Sequence, residues 1–204
     1  MLDGRGDVAT YRKMGRLNRF QQEAVQYYVK GRFVWDLGAG AMGWAHELVK
    51  MGAKHVTAVD QLYKYRHENY LNNMRDWKKC APDGVEVDDR TFFELVGTGP
   101  RRLSVAFVSW PEQSYGATCG LELLVDRAET VIYLGNNFDC TACGSAPFWN
   151  MLTQRKVLCT LPSRINTLTV YGGKATRYGV APQLLPEEAA ALSSEIHLTP
   201  AWFP

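Results

Sequence analysis

Closely spaced glycines follow an acidic residue in the segment FVWDLGAGAMG, and this is the strongest chemical signal in the chain. The apolar residues before Asp36 predict a buried strand, and the residues from Gly43 onward predict a helix. Glycines let the cofactor-binding loop of Gly38, Ala39, Gly40 and Gly43 turn sharply and approach a ligand, while the N-terminus of a helix favours negative groups. The pattern therefore predicts a loop that cradles a nucleotide-like ligand.

A second acidic residue, Asp60, ends the next predicted strand in the segment VTAVDQ. A carboxylate at that position can accept hydrogen bonds from two ribose hydroxyls. Two ligands compete for such a site, a dinucleotide and S-adenosylmethionine. Asp36 favours the second, because a carboxylate would repel a pyrophosphate but attracts a sulfonium and an ammonium group.

The segment Asp36-Leu-Gly38-Ala-Gly40, followed by Asp60, resembles the first two motifs of the class I S-adenosylmethionine-dependent methyltransferases. The resemblance covers roughly residues 32–173. It implies that S-adenosylmethionine is the cofactor, with Asp36 and the glycine loop at its methionine part and Asp60 at its ribose. It implies a methyltransferase, and it says little about the methyl acceptor.

The same resemblance implies an acidic residue after the third strand, close to the adenine amino group. Asp88 and Asp89, in the segment VEVDDRTFF, are both candidates, and we prefer Asp89. Gln61 directly follows Asp60 and would flank the adenine ring.

The fourth predicted strand ends in Ser109-Trp110-Pro111-Glu112. Ligands of open parallel sheets collect beyond the carboxyl ends of the strands, so we expect Ser109 to face the transferred methyl group. The segment resembles the amino-methyltransferase pattern of Asn, Asp or Ser before Pro-Pro and an aromatic residue. Here Trp110 stands in place of the first proline, and Glu112 replaces the aromatic residue. If the reaction needs a base, Glu112 is the nearest carboxylate in the sequence.

A weaker resemblance rests on three segments taken together, Ser109–Pro111, Tyr133–Gly135 and Cys140-Thr141. In these segments the chain is similar to a group of bacterial and plant methyltransferase-like proteins that carry a Ser-Trp-Pro segment.

Cys140 and Cys143 form a lone Cys-x-x-Cys pair. A structural zinc site needs four ligands, so we predict no metal site.

The elements that must position these residues alternate between strand and helix from residue 32 onward. Such alternation favours parallel strands with crossover helices. Only Pro162–Asn166 separates the last two strands, which predicts an antiparallel pair. The prediction is an α/β, Rossmann-like, seven-stranded and mostly parallel sheet with a reversed last strand, helices on both faces and three layers. The predicted strands are Arg32–Leu37, His55–Asp60, Val85–Val87, Ser104–Ser109, Thr130–Leu134, Lys156–Leu161 and Thr167–Tyr171, and the predicted helices are Thr10–Lys30, Gly43–Met51, Leu62–Lys79, Gly116–Ala128 and Ser145–Gln154.

The first predicted helix is amphipathic, and its polar face is basic. We interpret that face either as a solvated surface or as a contact for nucleic acid. We predict a single domain, 1–204, made of an N-terminal basic helix (1–31), a cofactor-binding core (32–173) and a C-terminal tail (174–204). The expected apolar face is Leu17, Phe20, Ala24, Tyr27 and Tyr28, and the basic residues are Arg12, Lys13, Arg16 and Arg19.

The composition excludes several classes of protein. With 204 residues, 46% hydrophobic and 22% charged, and a formal net charge of +2, the chain resembles neither a disordered nor a fibrous protein. Five cysteines without a signal peptide predict a reducing, cytoplasmic location and no disulfide framework. We expect no membrane contact and a monomer or homodimer. Three functions remain open: a methyltransferase acting on a small molecule or a nucleic-acid base, a non-catalytic binding protein of the same fold, and a nicotinamide-dependent oxidoreductase.

Overall fold

A seven-stranded sheet runs through the residues that the computed structural model describes, which are 16–40, 42–60, 81–113, 115–135 and 143–173. The strands are β1 (Phe33–Leu37), β2 (His55–Val59), β3 (Val85–Asp88), β4 (Leu103–Ser109), β5 (Ala128–Gly135), β6 (Lys156–Pro162) and β7 (Thr167–Gly172). The helices within these residues are α1 (Arg19–Val29), α2 (Gly43–Lys50), α3 (Phe92–Thr98), α4 (Tyr115–Thr118), α5 (Leu121–Asp126) and α6 (Ala146–Thr153).

The strand order is β3-β2-β1-β4-β5-β7-β6. Neighbours among the first five strands are parallel, whereas β7 lies between β5 and β6 and is antiparallel to both. The short connection between β6 and β7 closes with a hydrogen bond of 2.7 Å from the amide of Ser163 to the carbonyl of Asn166. The predicted mostly parallel sheet with a reversed last strand is confirmed.

Helices cover both faces of the sheet. Side chains of successive strand residues point to opposite faces, so each strand contributes to both cores. Along β4, Val105 and Phe107 pack into the core on the side of α1 and α2. Ala106 and Val108 pack into the core on the side of α3, α5 and α6. These four side chains are fully buried, and the predicted three-layer arrangement is confirmed.

The first helix differs from its prediction. In the described residues it runs from Arg19, and residues 16–18 before it are not helical, because the side chain of Asn18 accepts a hydrogen bond from the amide of Gln21 and forms a capping box with that residue. Tyr27, expected on the apolar face, is 49% exposed. Gln21 is buried instead, and its amide group donates to the carbonyl of Leu161 at 2.9 Å. This hydrogen bond connects α1 to the β6–β7 hairpin.

Two further predictions of helices need correction. The helix α3 was not predicted, although Thr91 and Glu94 form a second capping box that marks its start. The predicted helix over 116–128 is two helices, α4 and α5. Gly120 separates them with φ of 93°, and a Cβ on Gly120 would lie 2.9 Å from the backbone of Phe92 and Phe93. The close approach of α3 therefore breaks the helix.

Several predictions lie outside the described residues: the start of the first helix with Arg12 and Lys13, the helix over 62–79, and the tail over 174–204. The division into basic helix, core and tail stays a prediction. Within the described ranges, no helix has both the length and the apolar character of a membrane span.

Candidate functional site

The carboxyl ends of β1 and β4 lie side by side, with Leu37 paired to Val108. The chain runs outward from β1 to β2 and β3 on one side, and continues through β4 and β5 on the other. This is the switch point at which open α/β sheets bind ligands. The residues predicted to bind a ligand from β1, β2 and β4 therefore share one edge of the sheet.

The glycine loop leaves β1 in a conformation that a side chain would disfavour. Gly38 and Gly40 have φ of 85° and 52°. The amides of Gly38 and Ala39 donate to the carbonyl of Val59 at 2.8 and 3.0 Å, which fixes the loop to the end of β2. Apart from the residues next to them in the chain and the backbone of α2, no described residue has an atom within 4 Å of a Cβ placed on Gly40 or Gly43. Among the described residues, the loop therefore has the free space that a ligand cradle requires.

Asp36 is buried at the end of β1, directly before this loop. Asp36 is 1% exposed, and its Oδ2 atom has no hydrogen-bond partner among the described residues. Burial raises the pKa of Asp36 to about 8, the nearby Asp60 carboxylate raises it as well, and a hydrogen bond from the amide of Ala45 in α2 opposes the shift. An unpartnered buried carboxyl oxygen is a strong acceptor for a cation or a hydrogen-bond donor.

Asp60 follows β2 and is 7% exposed. Its Oδ2 atom accepts a hydrogen bond of 2.7 Å from the amide of Gly40. The two acidic residues predicted from the sequence therefore both lie at the glycine loop. Asp36 precedes the loop in the chain, and Asp60 is hydrogen-bonded to it. Gln61 lies outside the described residues.

The two acidic residues after β3 have different surroundings. Both carboxylate oxygens of Asp88 accept hydrogen bonds from the guanidinium of Arg90, the shortest at 2.5 Å. Arg90 also donates to the hydroxyl of Thr98 at 2.8 Å, so the pair is tied to the end of α3. Asp88 therefore forms an ion pair with Arg90. The preference for Asp89 as the residue that binds the ligand stays a prediction. Sequence reasoning missed Arg90, although a basic residue two positions after an acid is a visible signal.

The end of β4 forms an unusual turn. Ser109 is half-buried, Pro111 is buried and Glu112 is exposed. Trp110 has φ of 50°, held by a hydrogen bond of 2.8 Å from its amide to the carbonyl of Leu134. A proline is locked near φ of about −65°, so this turn could not contain the first proline of the amino-methyltransferase pattern. The replacement of the first proline by Trp110 therefore changes the backbone geometry of the turn as well as its side chain.

The segment before α6 completes this part of the edge. The amide of Gly144 donates to the carbonyl of Pro111 at 2.7 Å. Ser145 is the N-cap residue of α6 and is 4% exposed, and its hydroxyl has no hydrogen-bond partner in the described part of the chain. The predicted helix Ser145–Gln154 starts at this residue, as the sequence Ser-Ala-Pro indicates, but Ser145 was not among the predicted site residues. Cys143 is buried next to it, and Cys140 lies outside the described residues.

Comparison with known proteins gives the fold. No protein-family model matches the sequence, and no curated protein matches it significantly. Solved structures do match. The ribosomal protein L11 methylase of Lactobacillus delbrueckii subsp. bulgaricus aligns with a TM-score of 0.53 and 13% identity, over 76% of this chain and 78% of that one. A proposed RNA methyltransferase from Pyrococcus horikoshii gives 0.52 and 15%, over 75% and 83%.

A protein of the NADB-Rossmann superfamily from Streptococcus agalactiae aligns with a TM-score of 0.53 and 12% identity, over 88% of this chain and 81% of that one. At such identities the likeness establishes the architecture and leaves activity open. The chain has the Rossmann-like fold of the class I S-adenosylmethionine-dependent methyltransferases.

Proposed function

We propose that this protein is an S-adenosylmethionine-dependent methyltransferase whose acceptor is a small molecule or a nucleic-acid base. The observation that carries the proposal is the buried Asp36 carboxyl, whose Oδ2 atom has no partner within the described ranges and which lies next to the glycine loop. A pyrophosphate placed over this loop would meet the carboxyl of Asp36 and the carboxylate of Asp60. A ligand with an ammonium or sulfonium group would instead stabilise both acids.

The residues present fit such a cofactor. Asp36 and the loop Gly38–Gly40 would hold its methionine part, Asp60 its ribose hydroxyls, and Asp89 its adenine amino group. When bound, the cofactor supplies a methyl group made electrophilic by the sulfonium. The amide of Gly40 is already oriented by Asp60, so the cradle does not have to form on binding.

The acceptor would lie beyond β4, against Ser109, Trp110 and Pro111. Alignment and exclusion of water are the main contributions that a methyltransferase makes to in-line displacement. Among the described residues of this turn, only Glu112 could act as a base, and its exposure makes proton transfer through water the simpler route. The turn therefore suits acceptors that can attack without a buried base.

Calorimetric titration with S-adenosylmethionine, S-adenosylhomocysteine and NADH tests the proposal. We expect the first two to bind wild-type protein and NADH not to bind. Asp36→Asn should weaken binding by at least tenfold, because it removes the charge that meets the ammonium group. Asp83→Asn is the matched control, since Asp83 is exposed in the turn before β3. Binding of NADH alone would refute the proposal and favour an oxidoreductase.

A non-catalytic cofactor-binding protein is the second candidate. The left-handed turn at Trp110 favours it, because this turn departs from the amine-binding pattern of active relatives of the fold. Transfer of a radiolabelled methyl group into fractionated cell extract separates the two candidates. Labelled product that disappears with Asp36→Asn supports the enzyme, and donor binding without any product supports the second candidate.

A further inference from the structure

In the part of the chain that the structure describes, two buried polar groups of the acceptor turn and of the segment bonded to it lack hydrogen-bond partners. One is the indole N–H of Trp110, and the other is the hydroxyl of Ser145. Leaving such a group unpaired in the interior costs about 1–3 kcal/mol, so unpaired groups at a ligand-binding edge point to a missing partner. Neither group takes part in holding S-adenosylmethionine as proposed above.

A backbone hydrogen bond joins the two segments that carry these groups. Trp110 precedes Pro111, whose carbonyl accepts the hydrogen bond from Gly144, and Ser145 follows Gly144. The hydrogen bond of 2.7 Å between Gly144 and Pro111 thus places the two unpaired groups on adjoining segments at the carboxyl edge. The backbone of Trp110 is itself fixed by Leu134, so its position at the end of β4 is set by the sheet.

The chemistry of this region favours an anion. The indole N–H can only donate a hydrogen bond, and a serine hydroxyl can donate one too. Ser145 begins α6, and the N-terminus of a helix carries partial positive charge. The first turn of α6 contains no acidic residue that would neutralise it. Ser145 has the backbone of an N-cap residue, but its hydroxyl makes no side-chain cap bond to α6.

We propose that the indole N–H of Trp110 and the hydroxyl of Ser145, together with the N-terminus of α6, bind a carboxylate group of the methyl acceptor. The assignment rests on the proposed function, because an acceptor beside the sulfonium would occupy this edge. A carboxylate is planar and small enough for a region where both groups are enclosed, whereas a phosphodiester carries two bulky substituents. The acceptor class is therefore a small carboxylic acid.

Nuclear magnetic resonance of the tryptophan indole groups tests the site directly. The Trp110 indole signal is identified by its loss in Trp110→Phe, or by backbone-linked assignment if that variant does not fold. Sodium acetate is then titrated at constant ionic strength, with and without S-adenosylhomocysteine. We expect a saturable downfield shift of the Trp110 signal. The Trp149 signal is an internal control, because its N–H already donates to the carbonyl of Cys143 at 2.8 Å.

Ser145→Ala should weaken the acetate affinity about tenfold, which is the effect of losing one hydrogen bond to a charged group. Thr153→Ala removes a hydroxyl from the other end of α6 and should leave the affinity unchanged. An equal shift with sodium chloride, no saturation, or an unchanged affinity in Ser145→Ala would overturn the site. A stronger response to dimethyl phosphate than to acetate would overturn the carboxylate assignment.

The two proposals fail separately. If S-adenosylhomocysteine binds and acetate has no specific effect, the carboxylate site is wrong and the methyltransferase proposal is untouched. If acetate shifts the Trp110 signal and neither adenosyl ligand binds, the proposed function is wrong, while the anion-binding site exists in another role.

Discussion

The Oδ2 atom of Asp60 lies 2.7 Å from the amide nitrogen of Gly40, so the acid that ends β2 holds the loop that follows β1. Asp60 therefore has a structural contact in addition to its predicted contact with a ribose. An alanine at this position would remove both the hydrogen bond to Gly40 and the contact with the ribose, so a loss of binding alone would not separate the two roles.

Asp60→Asn keeps an oxygen that can accept the Gly40 hydrogen bond, whereas Asp60→Ala removes it. We expect Asp60→Ala to lower the free energy of unfolding by about 1 kcal/mol more than Asp60→Asn, because the half-buried amide of Gly40 loses its partner. Both variants should bind S-adenosylhomocysteine at least tenfold more weakly. Urea unfolding and calorimetry measure the two quantities. Unchanged affinity in both variants would contradict the ribose assignment.

The buried Asp36 predicts that stability without ligand falls as pH rises. Its pKa is raised from 3.8 to about 8 in the folded protein, so the folded state retains a proton that the unfolded chain has lost between these values. Stability from this group is complete below about pH 4 and is lost as pH approaches 8, by up to about 1.4 kcal/mol per pH unit.

Asp36→Asn removes this dependence while keeping the size of the side chain. In the absence of ligand, the variant should match wild type near pH 4 and become more stable than wild type by a few kcal/mol at pH 8. Urea unfolding across this pH range provides the measurement. Parallel stability curves for the two proteins would show that Asp36 is ionised in the free protein.

Ligand affinity should depend on the same proton. A cationic group stabilises the ionised form of Asp36, so binding of S-adenosylhomocysteine releases a proton below about pH 8. We expect affinity to rise between pH 6 and 8 by up to about tenfold per unit. Calorimetry in two buffers with different ionisation enthalpies counts the released protons, and Asp36→Asn should release none. A wild-type affinity that is flat across this range would rule out the coupling.

The turn after β4 predicts an asymmetry between two substitutions of Trp110. Proline cannot adopt φ of 50° and lacks the amide that donates to Leu134, whereas asparagine tolerates the left-handed conformation and keeps the amide. Both variants lose the indole. Trp110→Pro should therefore unfold with a free energy about 3 kcal/mol or more below that of Trp110→Asn. Equal stabilities in urea would indicate that the turn is not left-handed.

Asp88 and Asp89, the two acidic residues after β3, should give different results when each is replaced by asparagine. Asp88→Asn weakens the ion pair with Arg90 and should lower the free energy of unfolding by only about 1 kcal/mol, since Arg90 is 38% exposed and water screens the pair. Asp89→Asn should reduce affinity for S-adenosylhomocysteine about tenfold. If Asp88→Asn instead shows the larger loss of affinity, the adenine assignment belongs to Asp88.

Local patterns in the sequence predicted much of the fold. Runs of apolar residues and their spacing identified all seven strands, and the short link Pro162–Asn166 identified the reversed β7. Errors occurred where side-chain contacts override periodicity. Asn18 starts α1 late, and the packing of Gly120 against α3 divides one predicted helix into two.

The sequence by itself determined which residues stand at the strand ends, because the glycine spacing and the positions of Asp36 and Asp60 are local properties of the chain. Only the tertiary structure decided that Asp36 has an unpartnered oxygen and that Ser145 lies on the segment bonded to Pro111. Burial and contacts between distant segments depend on strand register and helix packing. These arise from the whole sheet, and no short stretch of sequence encodes them.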